Sequence, residues 1–336
     1  MKNQVALFLF GACCVAANAA DSVSIPQDSS EVFLPDIDVV AFKQQSSLSQ
    51  NAASFSVLGL KETEQLGIAD IRGVSDIVPN FFMPEYGSRI TSSIYVRGIG
   101  ARMDQPAVGL TVDNVIVMNK DAYDLDIPDI DRIEMIRGPQ SSLYGRNTMT
   151  GMINVRTLSP LRFQGWRAML EGSLPETLKA SAGFYHRFSS DLGMSVSAGL
   201  LLKKGHWINE YNGKPADHEK SGNIRWRTDA RIGRVSVSNV LSASILRQGG
   251  YPYEYIPTGK ISYNDTCFYR RLLLSDGLSL AWNVGDVNFT SVTSLQYIDD
   301  NMTLDQDFLP LPYFTLTQKK REVSVTEDFM ARGRVG

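Results

Sequence analysis

Cysteine and histidine are scarce in this chain, three of each in 336 residues. Cys13 and Cys14 fall within an N-terminal leader, which leaves Cys267 alone and unable to close an internal disulfide. His186, His206 and His218 show neither a zinc-ligand spacing nor a nucleophile–base pattern. Charge of one sign is also missing. The net charge is −3, which gives no case for a nucleic-acid partner. Gly98 and Gly100 follow a strand-like run but open no helix, so no dinucleotide fingerprint is present. With no activated nucleophile and no phosphate-cradling loop, the chain reads as a non-enzyme without a cofactor. Long apolar runs are confined to the start. The run at 5–15 is too short for a membrane span, which takes about 20 residues. Lys2 precedes it and Ala17-Asn18-Ala19 follows it, the pattern of a secretory signal peptide over 1–20, with the mature chain beginning at Ala20 or Asp21. An uncleaved anchor is one alternative. A lipid-modified Cys13 or Cys14 is another, though Phe10-Gly11-Ala12 before Cys13 matches the usual signal poorly.

The segment 21–53 is polar, carries Pro26 and Pro35, and reads as a flexible tail. Within it, Asp36-Ile37-Asp38-Val39-Val40-Ala41 is β-prone and has no evident local partner. Such a run either adds a strand to another protein's sheet or serves as an edge strand of the next domain.

Residues 54–160 form the first folded domain, a small α/β unit. Ser54-Phe55-Ser56-Val57-Leu58 alternates as a strand. The stretches 61–66 and 67–78 carry helical spacing, and Pro79 ends the second. The runs 94–100, 108–113 and 115–117 read as strands, with Asn114 at a turn, and 127–131 as a brief helical turn. The stretch 131–157 organises the unit. Ile133-Glu134-Met135-Ile136 and Met152-Ile153-Asn154-Val155 are two strands, separated by Arg137, Gly138, Pro139, Gly145, Arg146 and Gly151.

This domain resembles the plug of TonB-dependent outer-membrane receptors. The resemblance rests on Ile77-Val78-Pro79-Asn80, Ile94-Tyr95-Val96-Arg97-Gly98-Ile99-Gly100 and Val112-Asp113-Asn114-Val115. It rests above all on Ile133-Glu134-Met135-Ile136-Arg137-Gly138-Pro139-Gln140, Leu143-Tyr144-Gly145-Arg146-Asn147 and Gly151-Met152-Ile153-Asn154-Val155. Two departures are small: Asp113-Asn114 stands where the family has Asp-Gly, and Thr150-Gly151 where it often has Gly-Gly. Asn tolerates positive φ, so the turn survives.

From 164 to 336 the pattern changes to long period-2 strands. Eight are legible, near 164–174, 177–188, 191–203, 220–233, 235–248, 268–283, 286–299 and 320–333. Ile224, Trp226, Thr228, Ala230 and Ile232 alternate with Arg225, Arg227, Asp229 and Arg231. Short turns alternate with long connections at 204–219, 249–267 and 300–319, as in an outer-membrane barrel. Trp166, Trp207, Trp226 and Trp282 read as interface-girdle residues or as core aromatics. Plugged transporters have about 22 strands. The expected fold is therefore an α/β plug domain followed by antiparallel transmembrane β-barrel strands, incomplete at about eight of 22, with ~300 residues of barrel missing.

The resemblance implies a receptor in the Gram-negative outer membrane, with tail and plug toward the periplasm. It would actively import a scarce ligand, most often an iron–siderophore complex. It assigns Asp36, Ile37, Asp38, Val39, Val40 and Ala41 to the box that pairs with TonB, which is energised by ExbB and ExbD. Arg97 and Arg137 take the place of plug latches toward barrel carboxylates, with partners in strands beyond Gly336. Apical loops would meet the ligand, through Tyr86, Arg89 and Arg102. The alternative is a surface-binding protein or an inactive fragment without transport.

Overall fold

The computed structural model describes residues 38–39, 46–47, 54–68, 70–84, 86–101, 106–174, 176–250, 253–264 and 266–333. Of the tail segment 36–41, only Asp38 and Val39 lie among them. They form β1 (Asp38–Val39), which pairs antiparallel with β2 (Ser46–Ser47) in the register Asp38↔Ser47. The run thus has a local backbone partner that its sequence does not announce. Asp36, Ile37, Val40 and Ala41 lie outside the described residues.

The plug begins with β3 (Ser54–Gly59) and α1 (Leu60–Gln65). Short strands follow: β4 (Phe81–Phe82), β5 (Tyr95–Val96), β6 (Ile99–Gly100), β7 (Val108–Val112) and β8 (Val115–Ile116). β9 (Ile130–Arg137), α2 (Ser141–Tyr144) and β10 (Gly151–Thr157) complete it. The main sheet has the order β3-β9-β10-β7-β8, parallel between β10 and β7 and antiparallel elsewhere. β9 and β10 lie at its centre and are covered on both faces, which suits near-continuous apolar runs. Ile133, Met135, Ile153 and Val155 enter the main core, whereas Ile136 and Met152 pack on the opposite face with Phe55 and Tyr144. Glu134 is fully buried in this sheet. It accepts a hydrogen bond from Asn154 Nδ2 at 2.8 Å, and Thr111 Oγ1 donates to Asn154 Oδ1 at 3.0 Å. A buried carboxylate demands such partners.

Three local expectations give way. The helix expected over 67–78 shrinks to a 3₁₀ turn, Arg72–Asp76. Asp70 Oδ1 accepts from the Gly73 N–H at 2.8 Å, and Ser75 Oγ accepts from the Met83 N–H at 3.0 Å. Such side-chain bonds compete with a helical ladder. The strand expected over 94–100 is a hairpin, because Arg97 (φ 54°) and Gly98 (φ 79°) both adopt left-handed backbone and turn β5 into β6. This is the two-residue turn that suits the twist of paired strands. The helical turn expected at 127–131 is a plain turn at 128–129 that leads into β9 at Ile130, and a 3₁₀ turn stands earlier, at Lys120–Ala122.

The second half is a meander. β11 (Gly165–Ser173), β12 (Thr177–Arg187) and β13 (Leu192–Lys203) come first. A small ribbon, β14 (Ile208–Asn209) with β15 (Lys214–Pro215), sits in the next loop. Then come β16 (Glu219–Ile232), β17 (Val235–Gly249), β18 (Phe268–Val284), β19 (Val287–Asp305) and β20 (Thr315–Arg332). The eight long strands pair antiparallel in the order β11-β12-β13-β16-β17-β18-β19-β20. The loop expected over 300–319 shortens to 306–314. Asp305 Oδ1 takes the Phe308 N–H and Asp307 takes those of Leu309 and Phe314, so the flanking strands extend further.

The faces of this wall are inverted relative to a soluble sheet. Register aligns Trp166, Phe184, Val196, Trp226 and Leu241 in one exposed row, with Leu295 and Val325 farther along. Trp166 is 78% exposed. Asp276 interrupts the row and accepts from Asn239 Nδ2 at 2.8 Å. Ser195, Ser197, Ser221, Gln248, Arg271, Ser294 and Gln296 are buried on the other face, against the plug. Apolar outside and polar inside is the pattern of a membrane-crossing β-wall. Among the described residues no helix is long and apolar enough to cross a membrane.

Gly277 marks a close approach of wall and plug. A Cβ there would lie 2.1 Å from Val115 Cγ2 of the plug hairpin. Gly277→Ala therefore costs about 1–3 kcal/mol by overpacking. Val115→Ala in the same chain should recover part of that loss in denaturant unfolding. Equal stability of Gly277→Ala and wild type would refute the contact.

Candidate functional site

The chemistry-bearing side chains gather where plug meets wall, in two groups. The first lies toward the short-turn end. The β7–β8 turn is Asp113-Asn114, both at positive φ (53° and 71°), which points the Asp113 carboxylate past the sheet end at β16. Alternation on β16 sends Arg225 and Arg227 inward together. Arg225 Nη2 stands 2.7 Å from Asp113 Oδ2, and Arg227 Nη1 stands 3.1 Å from Oδ1. Thr157 adds its N–H (2.9 Å) and hydroxyl (2.7 Å) to the same carboxylate. Arg227 Nε also meets Asp229 at 2.9 Å, and Ser159 Oγ donates to Asp229 Oδ2 at 2.5 Å. Burial pushes the Asp113 carboxyl up, but the two guanidinium groups and the Thr157 donors outweigh it and hold it below the usual carboxylate range.

The second group lies toward the long-loop end and centres on Arg89, which is only 6% exposed. Its Nη1 lies 2.9 Å from both Asp126 Oδ2 and Glu219 Oε1. Its Nη2 donates to Asp126 Oδ1 (2.9 Å) and to the Asp124 carbonyl (3.0 Å), and its backbone N–H donates to Gln248 Oε1 (3.1 Å). Ser221 Oγ donates to Asp126 Oδ2 at 2.7 Å, and Arg72 pairs with Asp124. Burial alone would raise the Asp126 carboxyl, and Arg89 brings it below its ordinary value. Asp70 goes the other way, raised by burial and by the Asp124 charge. Further ties run from Arg271 to Asp300 (2.6 Å) and to the Asp121 carbonyl, and from Asn119 Nδ2 to Glu322 Oε2 (2.8 Å).

These positions redistribute the roles expected from sequence. Arg89, expected to meet a ligand, is enclosed with its donors committed, so it ties plug to wall instead. Arg97 is exposed, and its backbone N–H donates to the Asn80 carbonyl at 2.9 Å. Arg137 donates to Ser54 Oγ (3.0 Å), Ser56 Oγ (2.7 Å) and the Phe55 carbonyl (2.9 Å), which joins β9 to β3. No carboxylate among the described residues pairs with either arginine. Tyr86 does face the long loops. Its hydroxyl lies 3.2 Å from that of Tyr95, and its carbonyl accepts from the Tyr253 hydroxyl at 2.9 Å. Phe82 packs near Tyr95, and Phe308 meets Tyr253 edge-on, so aromatic side chains dominate this end. Arg102 lies outside the described residues. Sequence reading marked the charged face of β16 but not its partner Asp113. A charged inward face opposite a positive-φ turn is the signal that would have joined them.

The same architecture recurs in known proteins. Residues 47–152 match the model of the TonB-dependent Receptor Plug Domain. The pesticin receptor of Yersinia pestis is 32% identical over 125 residues, 36% of this chain and 18% of that protein. The vitamin B12 transporter BtuB of Vibrio vulnificus is 26% identical over 183 residues, 51% of this chain and 28% of that one. Among solved structures, the ferric yersiniabactin uptake receptor FyuA of Yersinia pestis aligns with a TM-score of 0.73 at 21% identity. That alignment covers 86% of this chain and 46% of FyuA. The ferripyoverdine receptor of Pseudomonas aeruginosa aligns with a TM-score of 0.69 at 11% identity, over 88% and 41% of the two chains. The chain thus spans less than half the length of these solved receptors. Its relatives are receptors and transporters rather than enzymes, and the fold it shares with them is an α/β plug against an antiparallel wall.

Proposed function

We propose that this chain, which carries a TonB-dependent receptor plug at residues 47–152, works in the outer membrane as a receptor that binds a scarce external ligand and imports it with energy delivered by TonB. One observation carries this reading: the plug is seated by buried ion pairs against a wall whose outer face is apolar. A plug held in this way blocks passive flow, so passage needs a force that shifts it. The long loops then face outward, and the short turns and the tail face the periplasm, where TonB, driven by ExbB and ExbD, engages 36–41. The ligand we favour is an iron–siderophore complex, by analogy with the ferric yersiniabactin and ferripyoverdine receptors. Phe82, Tyr86, Tyr95 and Tyr253 offer ring faces to such a ligand, and Arg102 is retained from the sequence as a ligand-contact residue. Tyr86 stands three residues before Arg89, so contact at the apex can bear directly on the buried tie. Arg97 and Arg137 are retained in this reading as plug latches toward barrel carboxylates.

Deleting 36–41 provides the test. Uptake of a labelled ferric siderophore should fall to background in cells while the Kd for that ligand at the cell surface stays unchanged. Uptake that persists would sink TonB-driven import. Binding without any uptake in wild type would favour a surface-binding protein.

A further inference from the structure

We propose that the short-turn end of the plug holds a second site, a carboxylate-binding cavity built on Arg156 and Arg162. The site goes beyond the import reading and does not depend on it. A cavity of about 560 Å³ opens between the end of the plug sheet and β16. That volume falls in the range of small-molecule sites, roughly 300–1,000 Å³. Four arginines line it, Arg132, Arg156, Arg162 and Arg227, against two aspartates, Asp113 and Asp131.

Their charges are unequally matched. Arg227 is held by Asp113 and Asp229, and Arg132 stands 3.3 Å from Glu134. Arg156 has a neutral partner instead: its Nη2 donates to Asn114 Oδ1 at 2.7 Å. Its Nε is shut off from solvent and finds no acceptor. Arg162 is exposed at the rim, and the only bond described for it is its backbone N–H to the Ser159 carbonyl (3.0 Å). No carboxylate among the described residues pairs with either side chain. A second cavity, about 190 Å³, shares Arg156 and Asn114 and reaches Asp328 on β20, so Arg156 stands where the two spaces meet.

A cation with an unfilled, enclosed donor is unfavourable unless an acceptor arrives. Burial pushes the Arg156 guanidinium down from its ordinary value, and the nearby Asp113 and Glu134 charges offset only part of that. The acceptor that matches a guanidinium fork is a carboxylate, taken in bidentate geometry. Two arginines at one cavity favour a polycarboxylate. The carboxylate has two possible sources. One is a free solute. The other is this chain's own segment 21–53, which carries Asp21, Asp28, Glu31, Asp36 and Asp38 against a single basic residue, Lys43.

Calorimetric titration of the whole chain in detergent, at low salt, with citrate as probe, tests the site. A parallel titration uses the chain lacking 21–53. A free-solute site gives citrate binding in both. A site filled by the tail gives binding only after the deletion. In the form that binds, Arg156→Gln should weaken citrate about tenfold, the equivalent of one charge-assisted hydrogen bond. Arg162→Gln, on an exposed side chain whose loss does not threaten folding, should weaken it about threefold. Arg156→Lys keeps the charge without the fork and should not restore affinity. Absence of binding in both forms, or binding that survives both glutamine substitutions, would overturn the proposal.

Discussion

Asp113→Ala lowers stability by about 3 kcal/mol, because it takes their shared carboxylate from two inward arginines beneath the plug and leaves Arg225 with Asp129 at 3.5 Å and Arg227 with Asp229 at 2.9 Å. Arg225 and Arg227 both converge on this one carboxylate, and both are largely sheltered from water. The substitution also removes the acceptor for the Thr157 N–H and hydroxyl, at the point where the plug sheet ends and the chain turns toward β11. Guanidinium chloride unfolding should show the loss as a lower midpoint. Limited proteolysis should show 113–117 and 157–164 cut sooner than in wild type. Combining Asp113→Ala with Arg225→Met and Arg227→Met should return much of the stability, since the cost lies in charges left short of partners rather than in a missing attraction. If the triple variant is no better than Asp113→Ala, charge pairing is not what seats the plug here.

The same carboxylate sets a pH dependence. Its value in the folded state lies below that in the unfolded chain, about 3.9. The folded state therefore binds fewer protons than the unfolded state as pH falls through this range. Its contribution is complete above the unfolded value and is lost as pH drops through the folded one. Asp126 has the same sign. Asp70, whose value is raised, has the opposite sign and offsets part of the effect, because its neutral form is the one the fold favours. Asp113→Ala should thus cost most at neutral pH and progressively less on acidification below about pH 4.

The wall was the most legible part of the fold. Period-2 alternation in β16 separates Trp226 from Arg225 and Arg227 whatever surrounds it, and strand positions follow from that repeat. The plug strands β9 and β10 were legible as apolar runs, and the Asp113-Asn114 turn as a break between two of them. Local geometry that depends on side-chain bonds was not. The helical spacing of Ile71, Val74 and Val78 is real, since all three are buried, yet Asp70 and Ser75 divert the backbone into a 3₁₀ turn. Arg97 and Gly98 read as part of a strand because positive φ at an arginine is rare and leaves no mark in a period-2 pattern. Burial of Arg89 was illegible for a different reason. An arginine in a polar apical loop reads as solvated. Its partners Asp126 and Glu219 lie 37 and 130 residues farther along, and only the fold brings them together.

Arg89→Met separates the buried role from the ligand-contact role that the loop sequence suggests. With the guanidinium gone, Asp126 and Glu219 lose the cation between them, and Asp124 keeps Arg72 alone. Stability should fall by about 3–5 kcal/mol. Glu219→Gln should cost less, because Arg89 retains Asp126 and the Asp124 carbonyl. The double variant should show a coupling of about 0.5–3 kcal/mol between the two positions, as expected for groups sharing one network. Amide exchange should quicken at Ile90 and Ser92, whose turn is anchored through the Ser88 and Arg89 bonds, and leave β11 to β13 protected. A ligand-contact arginine gives the opposite result: unfolding unchanged, with affinity for the external ligand reduced. Tyr86→Ala supplies the contrast from the exposed side of the same loop. It loses the Tyr95 hydroxyl contact, a single neutral hydrogen bond, so it should change unfolding by about 1 kcal/mol while weakening ligand binding. Arg89 acts as the plug's anchor if the two variants divide in this way, and the anchor reading fails if Arg89→Met leaves the unfolding midpoint where it was.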